Sequence, residues 1–159
     1  MLLTSPVLSP YDFIPERYTS DGRNVNPPLH PTEIPSGTGS LVLFVDDPDS
    51  RAKPWCHWVV YNIPPGAAIS EGDVPGTQAV NDFERHAYTG PSPHWGIHRY
   101  VFSAYALDCR LQLGGGKGRD DVWAAMRTHI LAHAELVGLY EGMKEGLWIE
   151  LDAHDYSHA

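Results

Sequence analysis

Two aspartates and two histidines stand beside apolar segments, where their types and spacing could do chemistry. Asp47 and Asp49 end the segment LVLFVDDPDS (41–50), and His57 and His98 each begin another apolar segment. A carboxylate near an imidazole favours the charged ring and raises the histidine pKa, and a charged ring donates hydrogen bonds to anions. The four side chains therefore predict an anion-binding site or a general acid–base pair, and they are also plausible ligands for a divalent metal ion.

This chemistry needs elements that bring the residues together, and three segments predict the strands that would do so. SLVLFV (40–45) is apolar on both faces, which predicts a central, buried strand. HWVVYNI (57–63) and HRYVFSAYAL (98–107) are rich in aromatic and β-branched residues and predict two more strands. Shorter strands are expected near residues 2–4, 78–81 and 147–151.

One helix is predicted over residues 120–140. Its buried face would consist of apolar residues three or four positions apart, namely Val122, Met126, Ile130, Ala134 and Val137. Acidic residues suit its start and Gly138 suits its end. His129 and His133 would lie one turn apart, but the glutamate of the zinc-protease motif HExxH is missing, so the pair is interpreted as part of a solvated face.

The alternation of side chains along a strand predicts where the polar residues point. Counting in twos places Asp47 and His98 on the same faces as the apolar residues of their own strands. The same count places His57 on the face of Val59 and Tyr61. If the three strands are neighbours, the carboxylates and imidazoles meet at one rim of a mostly antiparallel sheet.

Composition limits the class of protein. The chain has 159 residues, of which 42% are hydrophobic and 19% charged, and this predicts one globular domain. The formal net charge is −9 and only 3 of the 11 basic residues are lysines, so nucleic acid and anionic membrane surfaces are not expected partners.

The location is predicted from sequence signals. No segment reaches the roughly 20 apolar residues of a membrane helix. The N-terminus has no basic region and soon meets Pro6 and Pro10, which argues against a signal peptide, so the cytoplasm is the expected location. In that reducing compartment Cys56 and Cys109 are predicted to be free thiols.

Six motifs, in order along the chain, make the sequence similar to a known family. They are PERYTSDGRNVNPPL (15–29), VDDPDS (45–50), KPWCHWVVYNIP (53–64), NDF (81–83), GPSPHWGIHRYVFSAYALD (90–108) and HILAHAELVGLY (129–140). Together they resemble the phosphatidylethanolamine-binding protein family, and more closely its bacterial and archaeal branch of Raf-kinase-inhibitor-like proteins. The resemblance covers roughly residues 1–140.

The resemblance implies a mostly β fold, an antiparallel β-sheet sandwich with small peripheral helices. Residues 1–159 would form a single domain, with a family-like core at 1–140 and a C-terminal extension at 141–159. The resemblance also implies a small surface pocket for phosphate-like anions. Carried over motif by motif, its residues would be Asp47, Asp49, Trp55, His57, Gly90, Pro91, Pro93, His98 and Tyr100. His94 and Trp95 depart from the branch, which usually has a second proline and a small residue there, so the rim is expected to differ.

The function implied is that of a small-pocket binding protein for phosphate-like or other anionic ligands or phospholipid head groups, with regulation of a partner protein as a further role. The alternative is an enzyme that uses His57, His98 and Asp47 as general acid and base on a small metabolite. The resemblance implies a homodimer. It implies no cofactor and no obligatory metal.

Overall fold

The computed structural model describes residues 1–142, and every structural statement below concerns that part of the chain. The strands are β1 (Leu2–Thr4), β2 (His30–Thr32), β3 (Ser40–Asp47), β4 (Trp55–Ile63), β5 (Thr77–Gln78), β6 (Ile97–Leu107) and β7 (Ile130–Glu141). One α-helix, α1, spans Arg119–Met126, and a single 3-10 turn spans Glu16–Tyr18. The protein is therefore mostly β, as the sequence predicts.

A five-stranded antiparallel sheet carries the fold, with the strand order β5-β4-β3-β6-β7. The central position of β3 confirms the prediction from SLVLFV, because the first six residues of this strand are buried. One face of the sheet packs against apolar residues of the N-terminal segment, which also pairs β1 with β2. The other face packs against Val122 and Met126 of α1.

The shorter predicted strands have different outcomes. The strand expected at residues 2–4 is β1, whereas the one expected at 78–81 overlaps the two-residue β5 only at Gln78, and Val80 forms an isolated bridge with Gly118. The segment 147–151 lies outside the described residues. No helix within residues 1–142 has both the length and the apolar character needed to cross a membrane.

The predicted helix over 120–140 is wrong beyond Met126, which leaves only its first third helical. Helix α1 ends at Met126, and the chain then enters β7, which pairs with β6 along its whole length. Spacings of four residues fit a strand as well as a helix, because four is an even number. Exposed and less exposed residues alternate from Ile130 to Leu136, which is the period of a strand. Pairing with β6 therefore overrides the helical pattern.

Gly138 lies inside β7 and does not end a helix. A β-carbon at this position would come within 2.6 Å of the Ile14 side chain and 3.0 Å of the Leu8 side chain. The glycine therefore allows the N-terminal segment to approach the sheet, and the segment completes the edge of β7 through hydrogen bonds between the backbones of Leu139 and both Asp12 and Ile14.

Because α1 ends at Met126, His129 and His133 lie in different elements. His129 lies in the turn after α1, where its Nδ1 is 2.8 Å from Asp108 Oδ1. His133 lies on β7 and stacks on Tyr105, with a ring-centroid distance of 4.6 Å. The two histidines therefore do not share the face of a helix.

Candidate functional site

A β-bulge in β4 sets the direction of His57. Opposite β3, Trp58 pairs with Val45 and Cys56 pairs with Asp46, so His57 has no residue directly across from it. An extra residue of this kind bends the strand and shifts the alternation of its side chains by one position. His57 therefore points to the face opposite to that expected from an unbroken strand.

The predicted alternation for His57 is accordingly wrong. Val59 and Tyr61 pack on the α1 side of the sheet, whereas the His57 ring contacts Tyr100 on the other side. The two ring centroids are 5.3 Å apart in an edge-to-face arrangement. The bulge thus brings His57 to the same face as Asp47 and His98, which a regular strand would not do.

His98 and Asp47 form a direct pair between adjacent strands. His98 Nδ1 lies 2.7 Å from Asp47 Oδ2, and both side chains are mostly buried. The second carboxylate oxygen of Asp47 accepts the backbone N–H of Asp49 at 2.8 Å. The pair fixes the orientation of the imidazole, and His98 Nε2 forms no hydrogen bond among the bonds found within residues 1–142.

Asp49 pairs with Arg99 and with neither of the two histidines. Its carboxylate forms a two-point ion pair with the Arg99 guanidinium at 2.8 and 3.0 Å and also accepts the Arg99 backbone N–H. The side-chain hydrogen bonds from Arg99 hold the pKa of Asp49 below its usual range. Asp49 therefore anchors the start of β6 and does not orient either histidine.

Burial makes His57 a neutral ring. Its Nδ1 donates to the Thr89 carbonyl oxygen at 2.6 Å, which leaves Nε2 as an acceptor. Desolvation lowers the pKa of His57 below 6.5, and this outweighs the raising effects of the Thr89 carbonyl and the Asp47 carboxylate. The expectation of a raised pKa is thus wrong for this histidine, because desolvation outweighs the carboxylates, and His57 is not a cationic donor near neutral pH.

The neutral state of His57 predicts a pH-dependent stability. The unfolded chain binds a proton near pH 6.5 that folded His57 binds only at lower pH, so the free energy of unfolding should fall as pH drops below about 6.5. One titrating group limits this slope to at most about 1.4 kcal/mol per pH unit. His57→Asn keeps a donor for Thr89 but does not titrate. Urea unfolding between pH 7.5 and pH 5 should show a shallower loss in this variant, and equal slopes would contradict the assignment.

The loop from Gly90 to Trp95 forms one wall in two layers. Gly90 and Pro91 lie behind the surface, where Gly90 N–H donates to Asn24 Oδ1 at 2.7 Å and the Pro91 carbonyl accepts from Ser20. Pro93, His94 and Trp95 line the pocket itself, and Trp95 is well exposed. The predicted rim residues are therefore divided between support and lining.

These elements enclose a cavity of about 520 Å³. Of the residues predicted for the site, it is lined by Asp47, Asp49, Trp55, His57, Pro93, His94, Trp95, His98 and Tyr100. Gly90 and Pro91 are not in the lining. Four lining residues were not predicted, namely Ser50, Arg51, Phe83 and Ser92. Ser50 ends the VDDPDS motif, Arg51 directly follows it and Phe83 ends the NDF motif, so their position in or next to these motifs was the available signal.

The aromatic residues form the apolar wall of the cavity. Phe83 contacts both His57 and Trp55 edge to face, at centroid distances of 5.0 and 5.9 Å. Rigid aromatic walls with a few polar groups are typical of sites for small molecules. The cavity therefore has the character of a ligand pocket.

The charges around the pocket nearly cancel. The Asp49 carboxylate forms an ion pair with Arg99, and the Asp47 carboxylate is hydrogen-bonded to His98. Arg51 is exposed and forms none of the ion pairs found within residues 1–142. A cation without a partner, beside two carboxylates that already have partners, allows an anion to enter.

The Tyr100 hydroxyl is buried and has no partner in hydrogen-bonding geometry among the described residues, although the Asp47 carboxylate and the Ser92 backbone lie close to it. Burial raises the pKa of Tyr100, and the nearby Asp47 carboxylate raises it further, so the hydroxyl keeps its proton. A buried hydroxyl that lacks a partner costs about 1–3 kcal/mol. The group is therefore a donor held at the wall of the pocket at the expense of stability.

Tyr100→Phe is expected to stabilise the ligand-free protein by about 1 kcal/mol, because it removes the unpaired hydroxyl and keeps the buried ring. The free energy of unfolding in urea measures the effect. Tyr88→Phe is the matched control, because the Tyr88 hydroxyl donates to the Tyr18 carbonyl oxygen at 2.6 Å and its removal should be destabilising. A loss of stability in Tyr100→Phe would show that the hydroxyl has a partner.

The fold agrees with comparisons to known proteins. The family model for phosphatidylethanolamine-binding proteins matches residues 4–141. The chain therefore belongs to the phosphatidylethanolamine-binding protein family, as the sequence motifs indicate. Family membership supports a ligand-binding protein in general terms.

Individual relatives come from archaea and bacteria. A UPF0098 protein from Methanothermobacter thermautotrophicus is 45% identical over 135 residues, which cover 80% of this chain and 89% of the relative. The crystal structure of the phosphatidylethanolamine-binding protein homolog CT736 from Chlamydia trachomatis is similar with a TM-score of 0.85 at 38% identity, covering 88% of this chain and 96% of that one. YbcL from E. coli, at 24% identity and a TM-score of 0.81, shows the shared fold; the match covers 88% of this chain and 97% of YbcL.

Proposed function

We propose that the protein binds a small anionic ligand, with the chemistry of a phosphate group, in the pocket between β3, β4, β6 and the loop from Gly90 to Trp95. The observation that carries this proposal is the convergence of donors on one cavity whose carboxylates already have partners. These donors are the Arg51 guanidinium, His98 Nε2 and the Tyr100 hydroxyl.

His98 and Arg51 can each carry the positive charge that favours an anion. In its imidazolium form His98 donates through both ring nitrogens, so it can hold Asp47 through Nδ1 and a ligand through Nε2. Arg51 supplies a positive charge at the exposed mouth. His57 contributes shape and an acceptor but no charge, because its ring is neutral.

The aromatic wall adds a constraint on the rest of the ligand. Trp55, Phe83 and Trp95 line the cavity next to the polar groups. A phosphate ester with a short organic group uses both kinds of surface, whereas inorganic phosphate uses only the polar part. Phospholipid head groups belong to the same chemical class.

Sulfate titration tests the role of Arg51. Arg51→Gln should weaken sulfate binding by about 0.5–1 kcal/mol at low salt, roughly two- to fivefold, because the cation is exposed and partly screened. Arg110→Gln is the matched control, since it removes the same charge from an exposed position outside the pocket lining. An equal effect of the two substitutions would assign the change to overall charge and count against the pocket.

An enzyme remains the second candidate, and the Asp47–His98 pair is the observation that favours it. A carboxylate that orients an imidazole toward a cavity is the usual arrangement of a general base. Native mass spectrometry of the freshly purified protein separates the candidates. A bound small anion that returns unchanged after incubation supports a binding protein, whereas a converted ligand supports the enzyme.

Two further proposals rest on the family resemblance, namely a homodimer and regulation of a partner protein. A third, a cytoplasmic location, rests on the sequence signals alone. A mass near 17.6 kDa by light scattering at micromolar concentration would contradict the dimer.

A further inference from the structure

A second group of possible ligand atoms lies at the opposite end of β6 from the pocket. His98 is at the start of this strand, and Asp108 directly follows its end at Leu107. Ten residues of extended chain span about 33 Å. Any site at Asp108 is therefore separate from the anion pocket.

The turn after α1 brings His129 to this end of the strand. The Asp108 backbone N–H donates to the His129 carbonyl oxygen at 3.0 Å, which ties the two chain segments together. The Asp108 carboxylate lies 2.8 Å from His129 Nδ1. The backbone therefore fixes both residues at the ends of β6 and β7.

Cys109 completes the group. One carboxylate oxygen of Asp108, the Cys109 thiol and one ring nitrogen of His129 all lie within 4.8 Å of one another. The Cys109 backbone is held in place, because its carbonyl oxygen accepts the Ser40 hydroxyl. The thiol is free, and Cys109 is partly exposed.

We propose that Asp108, Cys109 and His129 form a binding site for a divalent transition-metal ion of the zinc class. Thiolate and imidazole ligands favour zinc and its neighbours over magnesium or calcium, which prefer oxygen ligands. Three protein ligands leave the fourth tetrahedral position to water. Binding releases the Cys109 thiol proton to solvent, and the ion takes the place of the hydrogen bond between His129 and Asp108.

The geometry requires only a small adjustment. Zinc–ligand bonds of about 2.0–2.3 Å place tetrahedral ligand atoms roughly 3.3–3.6 Å apart. The 2.8 Å contact between Asp108 and His129 must therefore open slightly, and the wider separations, up to 4.8 Å, must close. Both of these side chains are about half exposed, at 50% and 43%, so they can rotate without disturbing the core.

Cobalt titration tests this site without interference from other ligands. A thiolate bound to Co²⁺ absorbs in the near ultraviolet through sulfur-to-metal charge transfer, which carboxylates and imidazoles do not produce. The whole chain contains two cysteines, and Cys56 is buried in the core. The reduced, full-length wild-type protein should therefore develop this band with one Co²⁺ per chain, and Zn²⁺ should abolish it.

Four substitutions decide the outcome. Cys109→Ser should abolish the band, and Asp108→Asn and His129→Gln should each weaken Co²⁺ binding by at least about tenfold. His133→Gln is the matched control, because His133 has a similar exposure and a carboxylate partner in Glu135. It should leave the titration unchanged. A wild-type protein without the band at millimolar Co²⁺, a band that persists in Cys109→Ser, or an unchanged affinity in His129→Gln would overturn the proposal.

Discussion

Gly90→Ala is expected to destabilise the protein by about 3 kcal/mol, the largest effect of the substitutions considered for the pocket. A β-carbon at Gly90 would overlap the carbonyl oxygen of Tyr18 and would come within 2.7 Å of Asn24 Oδ1. Backbone atoms cannot rotate away as a side chain can, so the loop itself would have to move. Denaturant unfolding measures the loss.

The same substitution should disturb ligand binding, because the residues around Gly90 hold the wall. The Thr89 carbonyl oxygen accepts a hydrogen bond from His57 Nδ1, and the Gly90 N–H donates to Asn24 Oδ1. A displaced loop therefore shifts both His57 and Pro93. Gly114→Ala is the control, since a β-carbon there meets nothing within 4 Å, and its effect should stay within about 0.5 kcal/mol. Equal stability of the two variants would show that the loop can move without cost.

The central strands could be predicted because their sequences obey one rule along their whole length. The apolar run of β3 and the alternation in β6 place Asp47, His98 and Tyr100 on one face, and the structure brings all three to the same cavity. Regular pairing between β3 and β6 preserves that alternation. The Asp47–His98 pair is thus a consequence of strand periodicity.

The alternation of side chains fails to predict the direction of His57. The bulge in β4 adds one residue, and nothing in the run HWVVYNI marks its position, because apolar and aromatic residues occupy both faces of this buried strand. The family motif placed His57 in the pocket, whereas the alternation alone would have turned it away. Its lowered pKa depends on burial by distant chain segments, which a local pattern does not contain.

The sequence did not predict the end of the helix or the residues at the pocket mouth, and the reasons differ from that for His57. Residues 130–140 fit two periods at once, and pairing with β6 decides between them. Arg51 and Ser50 lie in the turn after β3, where no period indicates direction. Their contribution to the pocket depends on the path of this turn, which lines the cavity together with residues of the loop from Gly90 to Trp95.

His98→Asn is expected to weaken sulfate binding by about 1.5–3 kcal/mol, or roughly ten- to a hundredfold. The Asn amide can take the place of Nδ1 as the donor to Asp47, but it has no counterpart of Nε2. The buried carboxylate thus keeps a partner, and the variant should remain folded. The loss of affinity then reports on the donor that faces the ligand.

The most direct test of the anion pocket is isothermal titration of the wild-type protein and His98→Asn with sulfate at pH 6. Sulfate keeps the same charge around this pH, so its own ionisation does not affect the comparison. His86→Asn serves as the control, because His86 is an exposed histidine outside the pocket lining. The account predicts one sulfate site per chain in the wild-type protein and in His86→Asn, with the stated loss in His98→Asn. No measurable sulfate binding by the wild-type protein, or equal affinity in all three folded proteins, would contradict it.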